Sequence, residues 1–243
     1  MNKELDQNKK KYLSGWQDEF TLEDMKKWCG DYKNPWKTRI RKHIQDCKYE
    51  SVLDVGAGVC SEYYGFKHDG YDISYNATDI TPMYIDYSLS RGINIVLANM
   101  EALPFSDDEF DCCICLDVMN HQLEYEKAIK EMLRVAKKSV IITFFKPFEE
   151  EAIFGQQRYN QIVPFGAHTS GRYKVEKSLT GVIEHRVLNN SGDTVCIYNF
   201  FNRSRFIDFL NSLAVKYVFE VQPENSGKTT LFLEKDASGE INV

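Results

Sequence analysis

Apolar and polar positions along most of this chain predict strands and helices in turn. Short apolar runs with the length of buried strands occur at residues 51–55, 94–98, 110–116 and 139–145, and residues 76–80 are the end of another. Helical spacing separates several of these runs, at residues 60–67, from Pro82 onward and at 122–136. Strands that alternate with helices predict a parallel sheet with right-handed crossovers.

Individual residues specify the start of one helix and the two faces of another. Thr81 precedes Pro82, which predicts an N-cap at Thr81 and proline in the first helical turn. The segment 122–136 is the clearest helix, and Glu126 and Lys130 are spaced to pair on its wet side. Its apolar stripe consists of Leu123, Ile129, Met132, Leu133 and Ala136.

The two ends of the chain differ from this alternating part. Near the carboxyl end, residues 204–213 predict a helix, and 215–221 and 229–234 predict strands whose short connection allows only an antiparallel hairpin. Residues 146–202 form an insertion with a hairpin of its own, from strands at 182–188 and 195–198. Residues 1–50, with a short helix at 36–44, are predicted to form an N-terminal helical cap on a domain at 51–243. The fold class is α/β: a mainly parallel seven-stranded sheet with an antiparallel C-terminal hairpin and helices on both faces.

Composition narrows the classes of function. The net charge of −6 over 243 residues argues against a nucleic-acid partner, and no apolar run is long enough to span a membrane. The start of the chain has no signal-peptide core. Cys112, Cys113 and Cys115 lie so close together in one apparent strand that they cannot easily pair with each other. We therefore expect the seven cysteines to be reduced, mostly buried thiols in a cytoplasmic protein, and we expect no metal site. The oligomeric state is not indicated.

The stretch SVLDVGAGVC, residues 51–60, places a buried strand directly before a glycine turn. Such turns cradle nucleotide-type cofactors, although a tight strand-to-helix turn without a ligand has the same glycines. Gly56 and Gly58 fit two versions of the turn. The dinucleotide version requires a third glycine where Ser61 stands.

Polar residues after the first three strands favour one cofactor. Asp54 can accept from an ammonium group or hold the loop through its backbone N–H groups. Asp79 can accept from both hydroxyls of a ribose, or it can cap the next helix. Asn99 and Met100 follow the third strand, where a side-chain amide and a backbone N–H can read an adenine edge.

Together with the terminal hairpin, these features resemble the class I S-adenosylmethionine-dependent methyltransferases, a Rossmann-like family. The resemblance runs from about Ser51 to Phe145 and is closest to the subgroup that methylates small molecules, including ubiquinone-type and sugar methyltransferases. Its most specific part is NMEALPFSDDEFDCCICLDVMNH. It implies S-adenosylmethionine as cofactor, with S-adenosylhomocysteine as product. The cofactor-binding residues that it implies are Asp54, Gly56, Ala57, Gly58, Asp79, Ile80, Asn99, Met100 and Leu116.

The chain departs from the family pattern at two positions. The third glycine of the family turn is Cys60 here, and we expect its side chain to fit only if its φ angle is negative. The adenine-side aspartate is Asn99, which still offers an acceptor and a donor. Cys60→Gly is therefore predicted to retain donor binding, and Cys60→Phe to lose it.

The resemblance implies transfer of a methyl group to a small-molecule acceptor, which we expect to be a hydroxyl of a sugar or metabolite. His121 is the candidate general base, because an imidazole titrates near working pH. Asp117 is a second candidate, or a partner that orients His121. The acceptor pocket is expected from the cap and the insertion, where His168, Arg172, Tyr173 and Lys174 suit an anionic or polyhydroxyl compound. The alternatives are an RNA or protein methyltransferase, a non-catalytic protein that binds the same cofactor, and a nicotinamide dehydrogenase.

Overall fold

The computed structural model describes eight parts of the chain. They are residues 21–122, 124–144, 163–164, 172–177, 183–188, 194–201, 203–221 and 228–235. Between residues 163 and 200, only the strands and their pairing are described. Predictions for residues 1–20, for Leu123 and for His168 lie outside the described residues, as do those for the side chains of Arg172, Tyr173 and Lys174.

The helices and strands follow the predicted alternation. The helices are α1 (Leu22–Cys29), α2 (Pro35–Asp46), α3 (Ser61–His68), α4 (Pro82–Leu89), α5 (Tyr125–Val135) and α6 (Arg203–Asn211), with a 3₁₀ turn at Met119–His121. The first five strands are β1 (Ser51–Val55), β2 (Ser74–Asp79), β3 (Ile95–Leu97), β4 (Phe110–Leu116) and β5 (Ala136–Phe144). The others are β6 (Val163–Pro164), β7 (Arg172–Lys177), β8 (Ile183–Leu188), β9 (Thr194–Phe200), β10 (Val215–Val221) and β11 (Thr229–Lys235).

The main sheet has seven strands in the order β10-β11-β5-β4-β1-β2-β3. Strands β1 to β5 pair with one another in parallel, whereas β11 pairs antiparallel with both β5 and β10. The predicted sheet and its closing hairpin are therefore confirmed. The strand order reverses between β1 and β4, and open α/β sheets bind ligands at the carboxyl ends of strands beside such a reversal.

Two apolar layers hold helices against the faces of this sheet. On one face, Leu53 and Val55 of β1 pack with α5 and α6, where Ile129 and Phe206 are buried. Val52 lies in the opposite layer with α2, α3 and α4, because successive side chains of a strand point to opposite faces. Helices on both faces are thus confirmed.

The helix predicted at 122–136 is shorter than its apolar pattern. It begins at Tyr125, because the preceding residues form the 3₁₀ turn at Met119–His121. It ends at Val135, and Ala136 is already the first residue of β5. Ala136 is fully buried, as the predicted apolar stripe requires. A buried apolar position at a helix–strand junction fits either element, so the pattern alone does not place it in the helix or in the strand.

The insertion carries a second sheet of four strands in the order β6-β7-β8-β9. All its neighbouring strands are antiparallel, including the predicted hairpin of β8 and β9. Strand β9 runs beside the 3₁₀ turn that contains His121. The insertion therefore reaches the carboxyl edge of the main sheet, while its treatment as part of a 51–243 domain stays a prediction.

Two composition-based expectations can be compared with the described residues. The six cysteines whose side chains the structure describes are free thiols, and Cys60, Cys112, Cys113 and Cys115 are buried. Burial raises the pKa of the Cys112 thiol to about 12, so this thiol is neutral and unreactive. Within the same residues, no helix is long and apolar enough to cross a membrane.

Candidate functional site

The glycine turn after β1 is tied to the end of β2 by its own backbone. The N–H groups of Gly56 and Ala57 both donate to the carbonyl oxygen of Thr78, at 2.8 and 2.9 Å. The N–H of Gly58 donates to Oδ2 of Asp79 at 2.8 Å. The turn is therefore held at the carboxyl edge of the sheet, next to the strand-order reversal.

Every second residue of this turn has a left-handed backbone. The φ angles are +75° at Gly56, +55° at Gly58 and +54° at Cys60. The expectation of a negative φ at Cys60 was wrong. The turn keeps the conformation that a third glycine would adopt, and a cysteine occupies it at a cost of about 1–2 kcal/mol.

The Cys60 side chain is accommodated because it points into the core. It is fully buried in the apolar layer that also contains Val52 and Phe66. Burial raises the pKa of its thiol to about 12, so the group is neutral at physiological pH. Cys60 is the N-cap residue of α3 without a capping side-chain hydrogen bond, so its side chain acts through packing.

Asp79, at the end of β2, joins the glycine turn to the next helix. Its Oδ1 accepts from the N–H of Thr81 at 2.9 Å, while Oδ2 holds Gly58. Thr81 is the N-cap of α4 with Pro82 in the first turn, as predicted, but its side chain makes no capping hydrogen bond. The carboxylate of Asp79 therefore stabilises this end of α4, and Ile80 between them is half-buried.

Asp54 lies beneath the turn. It is only 3% exposed, and its Oδ2 accepts from the hydroxyl of Tyr75 at 2.6 Å. Burial raises the pKa of the Asp54 carboxyl to about 7, although the Tyr75 hydrogen bond opposes the shift. The loop-holding contact that the sequence allowed for Asp54 is made by Asp79 instead. A role toward an ammonium group stays a prediction.

The segment after β3 forms a small turn of its own. Oδ1 of Asn99 accepts from the N–H of Glu101 at 3.0 Å, and Asn99 is exposed. Met100 is half-buried against the apolar layer of α5 and α6. Glu101 is buried and accepts from Nε2 of Gln122 at 2.5 Å, a contact that sequence analysis missed. It joins the turns that follow β3 and β4.

Strand β4 ends at half-buried Leu116, and the turn after it begins with an aspartate in a strained conformation. Asp117 has a φ angle of +62°, and its N–H donates to the Thr143 hydroxyl oxygen at 2.8 Å. That hydroxyl in turn donates to Oδ1 of Asp117 at 2.9 Å. Val118 follows, and its methyl groups would lie 2.8 Å from a Cβ added at Gly56. The turn after β4 therefore packs directly on the glycine turn.

Lys228 completes the surroundings of Asp117, and sequence analysis missed it. Its ammonium forms an ion pair with Oδ2 of Asp117 and lies 3.7 Å from the ring centroid of Trp36 in α2. Burial lowers the pKa of Lys228, although Asp117 opposes this shift. A single lysine at the end of a hairpin turn carries no sequence signal, because only the sheet order brings it to β4.

His121 is the last residue of the 3₁₀ turn and is half-buried. Its N–H donates to the carbonyl of Val118 at 2.8 Å. The contacts described for the Asp117 carboxylate are with Thr143 and Lys228. An orienting role of Asp117 toward His121 stays a prediction.

The N-terminal helices cover this edge of the sheet. Met25 of α1 is buried beside Val59, and its methyl carbon would lie 3.5 Å from a Cβ at Gly58. Nζ of Lys37 in α2 donates to the carbonyl of Cys29 at 2.8 Å and to the hydroxyl of Ser61 at 2.6 Å. This lysine links α1, α2 and α3 around the glycine turn. Among the described residues, no group of three or more His, Cys, Asp or Glu side chains could hold a metal ion.

Comparison with known proteins supplies independent information about this segment. A family model described as a methyltransferase domain matches residues 53–144. The chain is also similar to a ubiquinone/menaquinone biosynthesis C-methyltransferase of Yersinia enterocolitica, with 37% identity over 68 residues. That alignment spans 27% of this chain and 27% of the relative's length.

Solved structures resemble this chain over most of its length. The CcbJ methyltransferase of Streptomyces caelestis has a TM-score of 0.62 at 12% identity, covering 93% of this chain and 99% of that one. CalS10, an amino pentose methyltransferase of Micromonospora echinaspora solved with S-adenosylmethionine bound, has a TM-score of 0.53 at 14% identity, covering 84% and 96%. At such low identity the likeness concerns the fold.

Proposed function

We propose that this chain transfers a methyl group from S-adenosylmethionine to a small-molecule acceptor, because residues 53–144 match a model of a methyltransferase domain and solved methyltransferases share the fold. The observation that carries the proposal is the tethered glycine turn. Positive φ angles at 56, 58 and 60 and the Asp79 hydrogen bond to Gly58 occur together inside the matched segment.

The residues around the turn fit such a donor chemically. The Asp79 carboxylate accepts the backbone N–H groups of Gly58 and Thr81, and a carboxylate has about four lone-pair sites, so ribose hydroxyls can bind to it as well. Gly56, Ala57 and Gly58 offer backbone without bulky side chains, Ile80 an apolar surface beside the ribose, and Leu116 backbone near the methionine end. Asn99 and Met100 would face the adenine, and Asp54 the ammonium group.

When bound, the donor supplies a methyl group on a sulfonium sulfur, and this group is transferred by in-line displacement. The protein's part is to align the acceptor at about 3–3.5 Å from the methyl carbon and to exclude water. The cap helices suit the second task, because Met25 and Trp36 are buried over the carboxyl edge of the sheet.

We propose His121 as the general base for a hydroxyl acceptor. Its position in the turn after β4, beside β9 of the insertion, supports this role. Asp117 is the second candidate. Its ion pair with Lys228 occupies the carboxylate oxygen that a substrate would need. We therefore assign Asp117 a positioning role in the β4 turn.

The acceptor class is proposed from the composition of the insertion and from the named substrates of similar proteins. The insertion contains basic and aromatic residues. This composition supports the proposal that the acceptor of O-methylation is a sugar or another polyhydroxyl metabolite. The amino pentose named for CalS10 supports the sugar class, whereas the Yersinia relative is named a C-methyltransferase. The proposal also includes a cytoplasmic location, a division of the chain into a cap at residues 1–50 and a domain at 51–243, and no resident metal.

Mass-spectrometric detection of S-adenosylhomocysteine tests this function. We expect product with sugars or hydroxylated metabolites and none with total RNA or protein. His121→Ala should lower turnover about 10²–10⁴-fold while donor affinity is unchanged. His121→Asn is the matched control for shape. Product formed only with RNA or protein would instead favour the macromolecular alternative, and donor binding without turnover on any acceptor a non-catalytic protein.

A further inference from the structure

Strand β10 lies at one end of the seven-stranded sheet, and β11 is its one sheet neighbour in the described part of the chain. Its seven residues, VKYVFEV, contain no proline. The N–H and C=O groups on the outer side of such a strand can pair with another strand. This edge is therefore a template for adding a strand.

The two faces of β10 differ in their surroundings. On one face, Tyr217 and Phe219 pack against α6, and the ring centroids of Phe219 and Phe206 are 6.4 Å apart. The opposite face carries Lys216, Val218 and Glu220, which are all exposed. Val218 is 59% exposed, which is high for an apolar residue in the middle of a strand.

The helix layer explains the exposure of Val218. Val218 lies opposite Phe232 of β11, and Phe232 is covered by His43 of α2 at a ring-centroid distance of 4.8 Å. The layer formed by α2 thus reaches β11 but does not cover the face of β10 that carries Val218. A neighbouring sheet could cover the apolar side chain.

We propose that β10 pairs antiparallel with β10 of a second copy of this chain, around a two-fold axis at Val218. The strand is self-complementary in this register. Val218 faces Val218, Tyr217 faces Phe219, Lys216 faces Glu220, and Val215 faces Val221 of the other copy. Each apolar side chain meets an apolar one, and each charge meets its opposite, as an isologous interface requires.

Other registers lose this complementarity. A parallel pair in register would place Lys216 opposite Lys216, and like charges directly opposite destabilise a sheet. An antiparallel pair shifted by two residues would place Lys216 opposite Val218. The charge pattern therefore favours β10 of a second copy as the partner strand, in the antiparallel register centred on Val218. This pairing joins two seven-stranded sheets into a continuous one.

Charge exchange tests this interface. Glu220→Lys is the cleaner variant, because Glu220 lies opposite uncharged Thr230 in its own chain. Lys216→Glu also places a carboxylate opposite Glu234 within the chain, so its folding is checked by thermal unfolding. In a mixture of the two variants, a heterodimer would again oppose glutamate and lysine at both pairs. Asp72→Lys, an exposed position before β2 at the far part of the sheet, is the matched control.

Sedimentation velocity of the full chain over a concentration series measures the outcome. We expect wild type and Asp72→Lys to dimerise, Glu220→Lys and Lys216→Glu to be monomeric alone, and their equimolar mixture to dimerise. A monomeric wild type, a dimer that survives Glu220→Lys, or a mixture that stays monomeric would each overturn the proposal. The measurement does not depend on donor binding, so it is independent of the proposed enzyme activity.

Discussion

At the scale of single residues, the glycine turn depends on backbone conformation more than on residue identity. The sequence predicted the turn and the strand before it, because glycines and buried strands have local signals. It did not predict that Cys60 is left-handed. That angle is imposed by the tether between residues 56–58 and the end of β2, which is a tertiary contact.

Substitutions at Cys60 should separate conformation from packing. Cys60→Gly relieves the positive φ but removes a buried side chain, so we expect a change in unfolding free energy within about 1 kcal/mol and retained donor binding. Cys60→Val should cost more than about 2 kcal/mol, because a β-branched residue resists φ near +54°. Urea unfolding measures both, and a Cys60→Val protein as stable as wild type would contradict the account.

Asp54 should make donor binding depend on pH. Its pKa is raised from 3.8 to about 7 by burial, so the carboxyl is largely protonated below pH 7. If it accepts the donor's ammonium group, the affinity for S-adenosylmethionine should rise about 10-fold as pH increases from 6 to 8. Asp54→Asn should remove this dependence. An unchanged pH profile in Asp54→Asn would assign the dependence elsewhere.

The raised pKa of Asp54 also predicts how the stability of the ligand-free protein depends on pH. The folded pKa of Asp54 lies above its unfolded value, so its contribution to stability is fully present below pH 4 and is lost as pH rises through about 7. Asp54→Asn should therefore gain on wild type in Tm between pH 5 and pH 8. An equal Tm difference at both pH values would contradict the assigned pKa.

At the scale of elements, α2 is held to α3 by buried charge. Nη1 of Arg41 lies 2.8 Å from Oε2 of Glu62, and both side chains are 2% exposed. Gly65 permits this contact, because a Cβ there would lie 2.4 Å from the same nitrogen. The sequence predicted a short helix here but not its burial, since Arg and Lys read as surface residues until their partners are known.

Two neighbouring positions of α2 offer a matched comparison. Arg41→Ala removes the ion pairs of Arg41 with Glu62 and Asp69 and leaves Lys37, at 3.3 Å, as the described ion-pair partner of buried Glu62, so it should cost about 3–5 kcal/mol of unfolding free energy. Lys42→Ala removes an ion pair of the same 2.8 Å length that is 69% and 62% exposed, and it should cost under about 0.5 kcal/mol. Denaturant unfolding of both variants checks the difference, and similar losses would show that burial is not the cause.

At the scale of the whole molecule, the mainly parallel seven-stranded sheet with its antiparallel hairpin could be predicted because resemblance and pattern agreed. The alternating β1 to β5 and the short turn before β11 leave few topologies open. Lys228 shows the limit of that inference. It is remote from β4 in the chain, and it reaches Asp117 only because β11 inserts antiparallel beside β5. The candidate site was thus predictable where it follows a strand directly, and not where it depends on sheet order.

Titration calorimetry with S-adenosylmethionine tests the central claim most directly. We predict saturable binding by wild type and by the surface control Asp72→Ala, a loss of at least about 10-fold in affinity in Asp79→Ala, and no binding of NADH. Circular dichroism confirms that the variants are folded. Absence of S-adenosylmethionine binding to the wild-type protein, or an unchanged affinity in folded Asp79→Ala, would contradict the assignment of the glycine turn and Asp79 as the donor site.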